Sequence, residues 1–304
     1  MVRRGTAMVL MGVLGALLVV GLVLTILWGG LAHQGWEPEP GPAGSRASDR
    51  TVAARYLRGV AVALVGGFWA GALVTGPAVR LAMRLLAVTA GDGAQGRLTE
   101  AEQVVGEIDL GGTIGLVLFG GILPGLVSGA IYVVCRRWLP SGRLGGVTFG
   151  LLHLVLGATR LEPLRPDNPD FDLVGPGWLS VLTFGLTAVV HGMAVVAVAN
   201  RWSRSFPSRA PTRAGRVRAG LPLVLPVLLL VPGVGVVPFL VAGLVLALIA
   251  ARSGPLVGVV GGRTSLLVGR AAVAAITLLL LPGALDDVVD IVDRDAAGEA
   301  APVR

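Results

Sequence analysis

The sequence predicts an all-α, polytopic integral membrane bundle of seven or eight transmembrane helices. Three observations carry that prediction. Hydrophobic residues fill 54% of the 304 positions and charged residues only 14%, where a soluble globule carries about 25% charged. The apolar residues gather into runs that approach or reach the roughly 17–25 residues needed to cross a bilayer. No Asp or Glu falls inside any of these runs, so the intramembrane carboxylates of many pumps and proton-coupled carriers are missing.

The runs lie at 7–28, 60–79, 111–134, 144–159, 177–199, 219–231, 236–251 and 264–281. The first follows Met1-Val-Arg-Arg and is trailed by Gly30-Leu-Ala32, features shared with a secretory signal. Its apolar stretch is longer than a signal core, so an uncleaved span is expected. The fourth, sixth and seventh runs are short. Pro222, Pro226, Pro232 and Pro238 punctuate the sixth and seventh. These two are either one bent span or a hairpin turning at Pro232-Gly-Val-Gly235, and the turn signal favours the hairpin. Trp28, Trp138, Trp178 and Trp202 fall near span ends, where interfacial aromatics sit.

The connections are short, so the chain forms a single transmembrane domain over 1–304. Segment 29–56 is a Pro/Gly-rich linker. In 89–110, Thr99 followed by Glu102 fits a capping box, predicting a short helix to about Glu107. Segment 161–176 is acidic and turn-rich. Segment 200–218 carries six Arg and no acid, a match for anionic lipid head groups. Residues 284–304 form an acidic tail. No internal repeat is visible, which argues against an inverted-repeat transporter.

All 25 basic residues are Arg. With 46 Gly and no Lys, this reads as a coding bias. The Arg residues are scattered over short loops without interleaved aromatics, so the net charge of +7 does not signal a nucleic-acid partner. The single cysteine, Cys135, excludes an internal disulfide and reads as inert. Alternating sides over eight spans puts 15 Arg and 3 acids on the side of loops 29–59, 135–143, 200–218 and 252–263. The other side receives 9 Arg and 15 acids. The positive-inside rule then makes the Arg-rich loops cytoplasmic in a bacterial cytoplasmic membrane. The acidic loops 80–110 and 160–176, the C-terminal tail and both termini fall outside. Met1-Val-Arg-Arg argues the opposite way, and the summed loops outweigh it.

Few polar residues could carry chemistry. Arg80 and Arg84 lie one turn apart at the outer end of the second run, level with Glu107 and Asp109 before the third. Ion pairs pinning two helices are the expected role; the alternative is an Arg clamp for an anionic substrate or head group. His153 and His191 are the only histidines within spans, at roughly 10 and 20 Å from the outer surface. Those depths do not align them, so each is expected in a helix–helix hydrogen bond rather than a metal site. Arg270 lies within the last run and is expected to snorkel to the cytoplasm. Asp167, Asp170 and Asp172, with Asp286, Asp290 and Asp293, form an acidic face. Oxygen-rich acids suit Ca²⁺ or Mg²⁺, but no specific loop matches, so a solvated surface partly paired to Arg160 and Arg165 is expected. No metal or cofactor site is predicted.

Glycines recur every four residues at Gly67 and Gly71, at Gly111 and Gly115, and at Gly121, Gly125 and Gly129. Such faces let helix backbones approach closely. They predict a tightly packed central third helix, with the contact made either within one chain or between copies or partners. Pro124 is expected to kink that helix, with Ser128 relieving a freed carbonyl.

The sequence has no Walker A loop, no His-Glu-x-x-His and no paired-Glu motif. Gly125-Leu-Val-Ser-Gly129 has one residue too many for a rhomboid nucleophile turn. Asp167-Asn-Pro-Asp-Phe-Asp-Leu-Val-Gly-Pro-Gly-Trp-Leu179, Arg80-Leu-Ala-Met-Arg84 and Gly96-Arg-Leu-Thr-Glu-Ala-Glu102 resemble segments of a group of uncharacterised bacterial multi-pass membrane proteins. That resemblance covers about a third of the chain. No activity is assigned to the group, so it implies architecture alone. Three function classes follow. The first is a non-enzymatic membrane component that scaffolds or regulates partners. The second is a carrier or channel for a small anionic or lipidic molecule. The third is a lipid-directed membrane enzyme. Lack of intramembrane acid and the glycine faces favour the first.

Overall fold

The computed structural model describes residues 2–32, 49–159, 163–205, 226, 236–252 and 263–299. Among these residues all regular structure is helical. The elements are α1 (Val2–Gly29), α2 (Asp49–Ala70), α3 (Gly76–Thr89), α4 (Leu110–Val117), α5 (Leu123–Cys135), α6 (Arg143–His153), α7 (Gly177–Ser205), α8 (Val236–Arg252) and α9 (Arg263–Glu299). Three single π-turns, Gly71–Thr75, Leu118–Ile122 and Leu154–Ala158, join α2 to α3, join α4 to α5 and extend α6.

Five helices are long and apolar enough to cross a membrane: Gly5–Gly29, Val52–Thr89, Leu110–Cys135, Gly177–Ser205 and Arg263–Asp293. Arg143–Ala158 is a shorter apolar helix. The expected seventh span corresponds to α8, 17 residues long. The expected sixth, 219–231, lies outside the described residues apart from Pro226. Large apolar side chains line the outside, among them Val9, Val13, Ile26, Leu278 and Leu279. Apolar exposure on this scale belongs to a lipid-facing surface.

Backbone proximity sets the packing. α2 packs on α5 and α7, α6 on α7, and α1 on α7. The glycine faces of the second and third spans meet each other within one chain. A β-carbon on Gly67 would land on the Gly125 carbonyl, and one on Gly71 on the Gly121 carbonyl. Gly129 faces the Ala63 carbonyl in the same way. A second crossing, absent from the sequence reading, joins α6 to α7, where Gly150 and Gly192 touch backbone to backbone. Gly111 and Gly115 take no part: the first faces only the Asp109 side chain, and nothing lies within 4 Å of a β-carbon on the second.

Two of the expectations for the third span are corrected. It is not the central helix: 33% of its apolar window is buried, against 67% for Val52–Thr89. Gly125 and Gly129 face α2 and Gly121 faces the π-turn after it, but Ile114, Phe119, Val127 and Val134 point outwards. Nor does Ser128 serve a carbonyl freed by Pro124. Pro124 follows the π-turn, in which the Leu123 N–H reaches back five residues to the Leu118 carbonyl. The widened turn accommodates a residue that lacks an N–H and would clash four residues back. Pro77 stands in the same relation to Gly71–Thr75, where the Gly76 N–H bonds the Gly71 carbonyl.

Segments 90–109 and 163–176 fold together over one end of the bundle, joined by the last turns of α9. The capping-box helix does not form. Instead 96–105 is a tight hairpin, with bonds Gly96 N–H to Val105 O, Val105 N–H to Arg97 O and Thr99 N–H to Gln103 O. Glu102 holds the turn at φ +56°. The Thr99 hydroxyl accepts from the Gln103 N–H, while the Glu102 N–H bonds the Thr99 carbonyl, so the capping-box bond from the Glu102 N–H to the Thr99 hydroxyl is absent. Leu164, Phe171 and Val174 plug the end of α6, whose Ala158 carbonyl takes the Leu164 N–H at 2.6 Å. Gly177 rests on the Ile291 carbonyl of α9.

Replacing Gly125 with Val forces a side chain onto the Gly67 carbonyl. The variant is expected to lose at least about 1–3 kcal/mol, the usual cost of overpacking a core. Gly115→Val, which meets open space, should stay close to wild type. Thermal unfolding of both in detergent checks this, and equal losses would remove the glycine crossing as the organising contact.

Candidate functional site

Four side chains from three spans and α6 join in one buried chain. The Thr75 hydroxyl lies 2.5 Å from His191 Nδ1. His191 Nε2 lies 2.8 Å from the Ser128 hydroxyl. That hydroxyl lies 2.6 Å from His153 Nε2, and His153 Nδ1 lies 3.0 Å from the Phe149 carbonyl. The depth estimate that separated the histidines is therefore corrected: their ring centroids are 5.4 Å apart. Counting along each span assumes that α6 and α7 end at the same level. In fact α6 stops inside the bundle, where Ala158 and Thr159 are buried under the 163–176 plug.

The proton positions follow from the one fixed end. A carbonyl can only accept, so His153 Nδ1 carries the proton and donates to Phe149. In a neutral ring Nε2 is then bare, and the Ser128 O–H donates to it. Ser128 oxygen is left to accept from His191 Nε2–H. His191 Nδ1 is then bare and accepts from the Thr75 O–H. With both rings neutral, every proton finds an acceptor and the two rings have opposite tautomers. Such a chain satisfies polar groups that would be costly to bury alone. Ser128, His191 and Thr75 are only 2%, 4% and 8% exposed. His191 is 14 residues from either end of α7, about 21 Å.

Each member sits beside a glycine or a π-turn. Gly76, Gly129 and Gly192 follow Thr75, Ser128 and His191 in the chain, and His153 leads into Leu154–Ala158. Close backbones let a side chain as short as Ser128 touch two imidazoles. Phe149 packs edge-on to His153 at 4.5 Å and to Tyr132 at 5.4 Å. Thr75 and Ser128 were not assigned to this role by the sequence. The usable signal was a hydroxyl residue adjacent to glycine inside an otherwise apolar run.

The expected ion pairs of Arg80 and Arg84 do not form. Arg80 Nε donates to the Thr113 hydroxyl at 3.2 Å. Arg84 donates to the Gly106 carbonyl at 3.3 Å. Asp109 caps α4 instead, accepting from the Gly112 N–H at 2.8 Å. Helix capping by Asp is a local contact formed within one turn, and it holds the carboxylate away from the guanidinium. Both arginines line a pocket of about 40 Å³ with Met83, Thr99, Gln103 and Glu107. Neither histidine lines that pocket, and Arg160 lies outside the described residues. Arg270 is exposed on α9, apart from the polar chain.

The acidic face is partly engaged: Asp167 and Asp170 have partners, while Asp172, Asp286, Asp290 and Asp293 are exposed. Glu100 pairs with Arg165 at 2.8 Å, and Arg165 also reaches Asp167 at 3.4 Å. Asp170 accepts from the Glu100 N–H at 2.7 Å. Partial burial raises the Asp170 carboxyl above the ordinary carboxylate range; the Glu100 N–H opposes that shift and the Glu100 charge adds to it. Among the described residues no three His, Cys, Asp or Glu side chains converge to hold a metal ion.

Comparison with protein-family models, with curated proteins and with solved structures found no match. The reading therefore rests on geometry.

Ser128→Ala strips a partner from both imidazoles. It should cost about 1–3 kcal/mol, the penalty for orphaned buried groups, and more than Thr75→Val, which orphans one nitrogen. In a double-mutant cycle, Ser128→Ala with His191→Leu should couple by about 0.6–2 kcal/mol. Unfolding measurements in detergent check this, and additive losses would mean that the four groups are not one unit.

Proposed function

We propose that the chain is a non-enzymatic membrane component that scaffolds or regulates partners. One observation supports this above others: the intramembrane polar groups Thr75, His191, Ser128 and His153 consume one another's hydrogen bonds. A carrier needs polar groups free to hold cargo, and a hydrolase needs a nucleophile that substrate can reach. Ser128 with His153 has the distance of a nucleophile–base pair, and the Phe149 carbonyl orients the base. Yet the hydroxyl also accepts from His191, it is 2% exposed, and it sits within a regular helix whose N–H groups are spent on backbone bonds. The dyad geometry thus serves packing.

In this reading the membrane is the bacterial cytoplasmic membrane. The end bearing 90–109, 163–176 and the C-terminal part of α9 faces outwards. The Arg-rich end faces the cytoplasm, where 200–218 meets anionic lipid head groups. The sequence charge asymmetry supports this orientation.

The function test uses purified protein in vesicles. Phosphate and chloride flux should equal that of protein-free vesicles, and a fluorophosphonate probe should leave Ser128 unlabelled. Flux above background, or Ser128 labelling that His153→Phe abolishes, would overturn the component reading in favour of a carrier or an enzyme. In intact cells, with Cys135→Ser as background, Gly93→Cys, Asp167→Cys and Asp290→Cys should react with an impermeant maleimide while Ser141→Cys stays silent. The reverse pattern inverts the orientation.

A further inference from the structure

We propose that Arg80 and Arg84 form a binding site for one phosphate group, in the pocket beneath the 96–106 hairpin. The pair sits one turn apart on α3, so both guanidinium groups lie on one helix face. Each spends one of its five N–H donors, Arg80 on Thr113 and Arg84 on Gly106. Among the described residues neither has a carboxylate within ion-pair distance. The two guanidinium groups repel each other, Asp109 offsets this at Arg80 only from beyond ion-pair distance, and an anion between them relieves the repulsion.

The surroundings narrow the chemistry. Thr99 and Gln103 of the hairpin line the same pocket. Met83, Ala87, Val105 and Val174 supply apolar walls, which keep water sparse and strengthen charge contacts. Glu107 also lines the pocket, but it is exposed at the rim, where solvent screens it. Asp109 caps α4 and is exposed, so its charge acts on Arg80 through partly screened space and not through an ion pair. Two forks suit a tetrahedral anion with several free oxygens better than a planar carboxylate, which one Arg satisfies. Arg84 lies five residues before the end of α3 at Thr89, about 7.5 Å along the axis. That is head-group depth, within reach of both a lipid head group and a soluble phosphate compound. The pocket shares no residue with the Thr75–His153 chain, so this site stands independently of the component reading.

The test is protection of the wild-type protein from phenylglyoxal, mapped residue by residue in nanodiscs. In pure phosphatidylcholine, Arg80 and Arg84 should be modified. Millimolar inorganic phosphate, or phosphatidylglycerol in the disc, should slow that modification about tenfold, as nine-tenths occupancy requires. Exposed Arg97 of the same loop should be unaffected. Protection by phosphate alone assigns a soluble source, and protection by phosphatidylglycerol alone assigns the lipid; either supports the site. Protection by neither, or equal protection of Arg97, overturns it. As a second measurement, phosphate should raise the melting temperature of wild type and of Arg97→Gln. It should not raise that of an Arg80→Lys/Arg84→Lys variant, which keeps the charge and loses the forks. A shift retained in the Lys variant contradicts recognition by the forks.

Discussion

Backbone contact at glycine is the constraint on which the rest of this bundle depends. Lipid tails are as apolar as Leu or Val, so burying those side chains between helices gains little over leaving them in lipid. Helix association must come from dense van der Waals contact and from interhelical hydrogen bonds. Gly67 against Gly125, and Gly150 against Gly192, supply the first. They also make the second available, because Ser128 is short and can bridge His153 and His191 only where backbones nearly touch. The π-turns serve the same end. Gly71–Thr75 and Leu118–Ile122 place Pro77 and Pro124 without a break and lie against each other across the interface.

The molecule divides into a closed middle and a polar end. In the middle every hydrogen-bonding group of the Thr75–His153 chain is matched within the protein. At the end, Arg80 and Arg84 keep most of their donors, and the loops above them are fixed by Glu100–Arg165 and by Asp170. A membrane component that must persist in lipid while meeting something at its surface would be built this way. The second cavity, about 250 Å³ between α1, α6 and α7, is largely apolar, with Arg143 among its lining residues.

Much of the architecture was legible in the sequence because hydropathy and length are one-dimensional signals. The apolar runs at 7–28, 60–79, 111–134 and 177–199 each lie inside a helix long enough to span, and 144–159 became the shorter α6. Helix ends were harder. Helix α2 starts well before the run at 60–79, α3 and α7 continue past the ends of theirs, and the run ending at 281 continues as helix to Glu299. The Gly67 and Gly125 faces were visible as four-residue spacings; their pairing with each other needed the third dimension. The Gly150–Gly192 crossing carried that spacing on one side only, at Gly146 and Gly150, and its partner Gly192 has no glycine four residues away. Residue counting failed for His153 and His191 because it treats helices as upright and flush, whereas α6 ends beneath a folded plug. Thr99 and Glu102 misled because a threonine whose hydroxyl accepts a nearby backbone N–H suits a tight turn as well as a helix start, and the Glu102 conformation at φ +56° decides between them.

The central claim is that two neutral imidazoles of opposite tautomer close the polar chain. The sequence holds three histidines, so a His33→Gln protein labelled with ¹⁵N-histidine reports on this pair alone. Solid-state NMR in lipid at neutral pH should show one ring protonated at Nδ1 and one at Nε2. Ser128→Ala should change the Nε2 signals of both rings. Two rings of the same tautomer, or a charged imidazolium at neutral pH, would contradict the account.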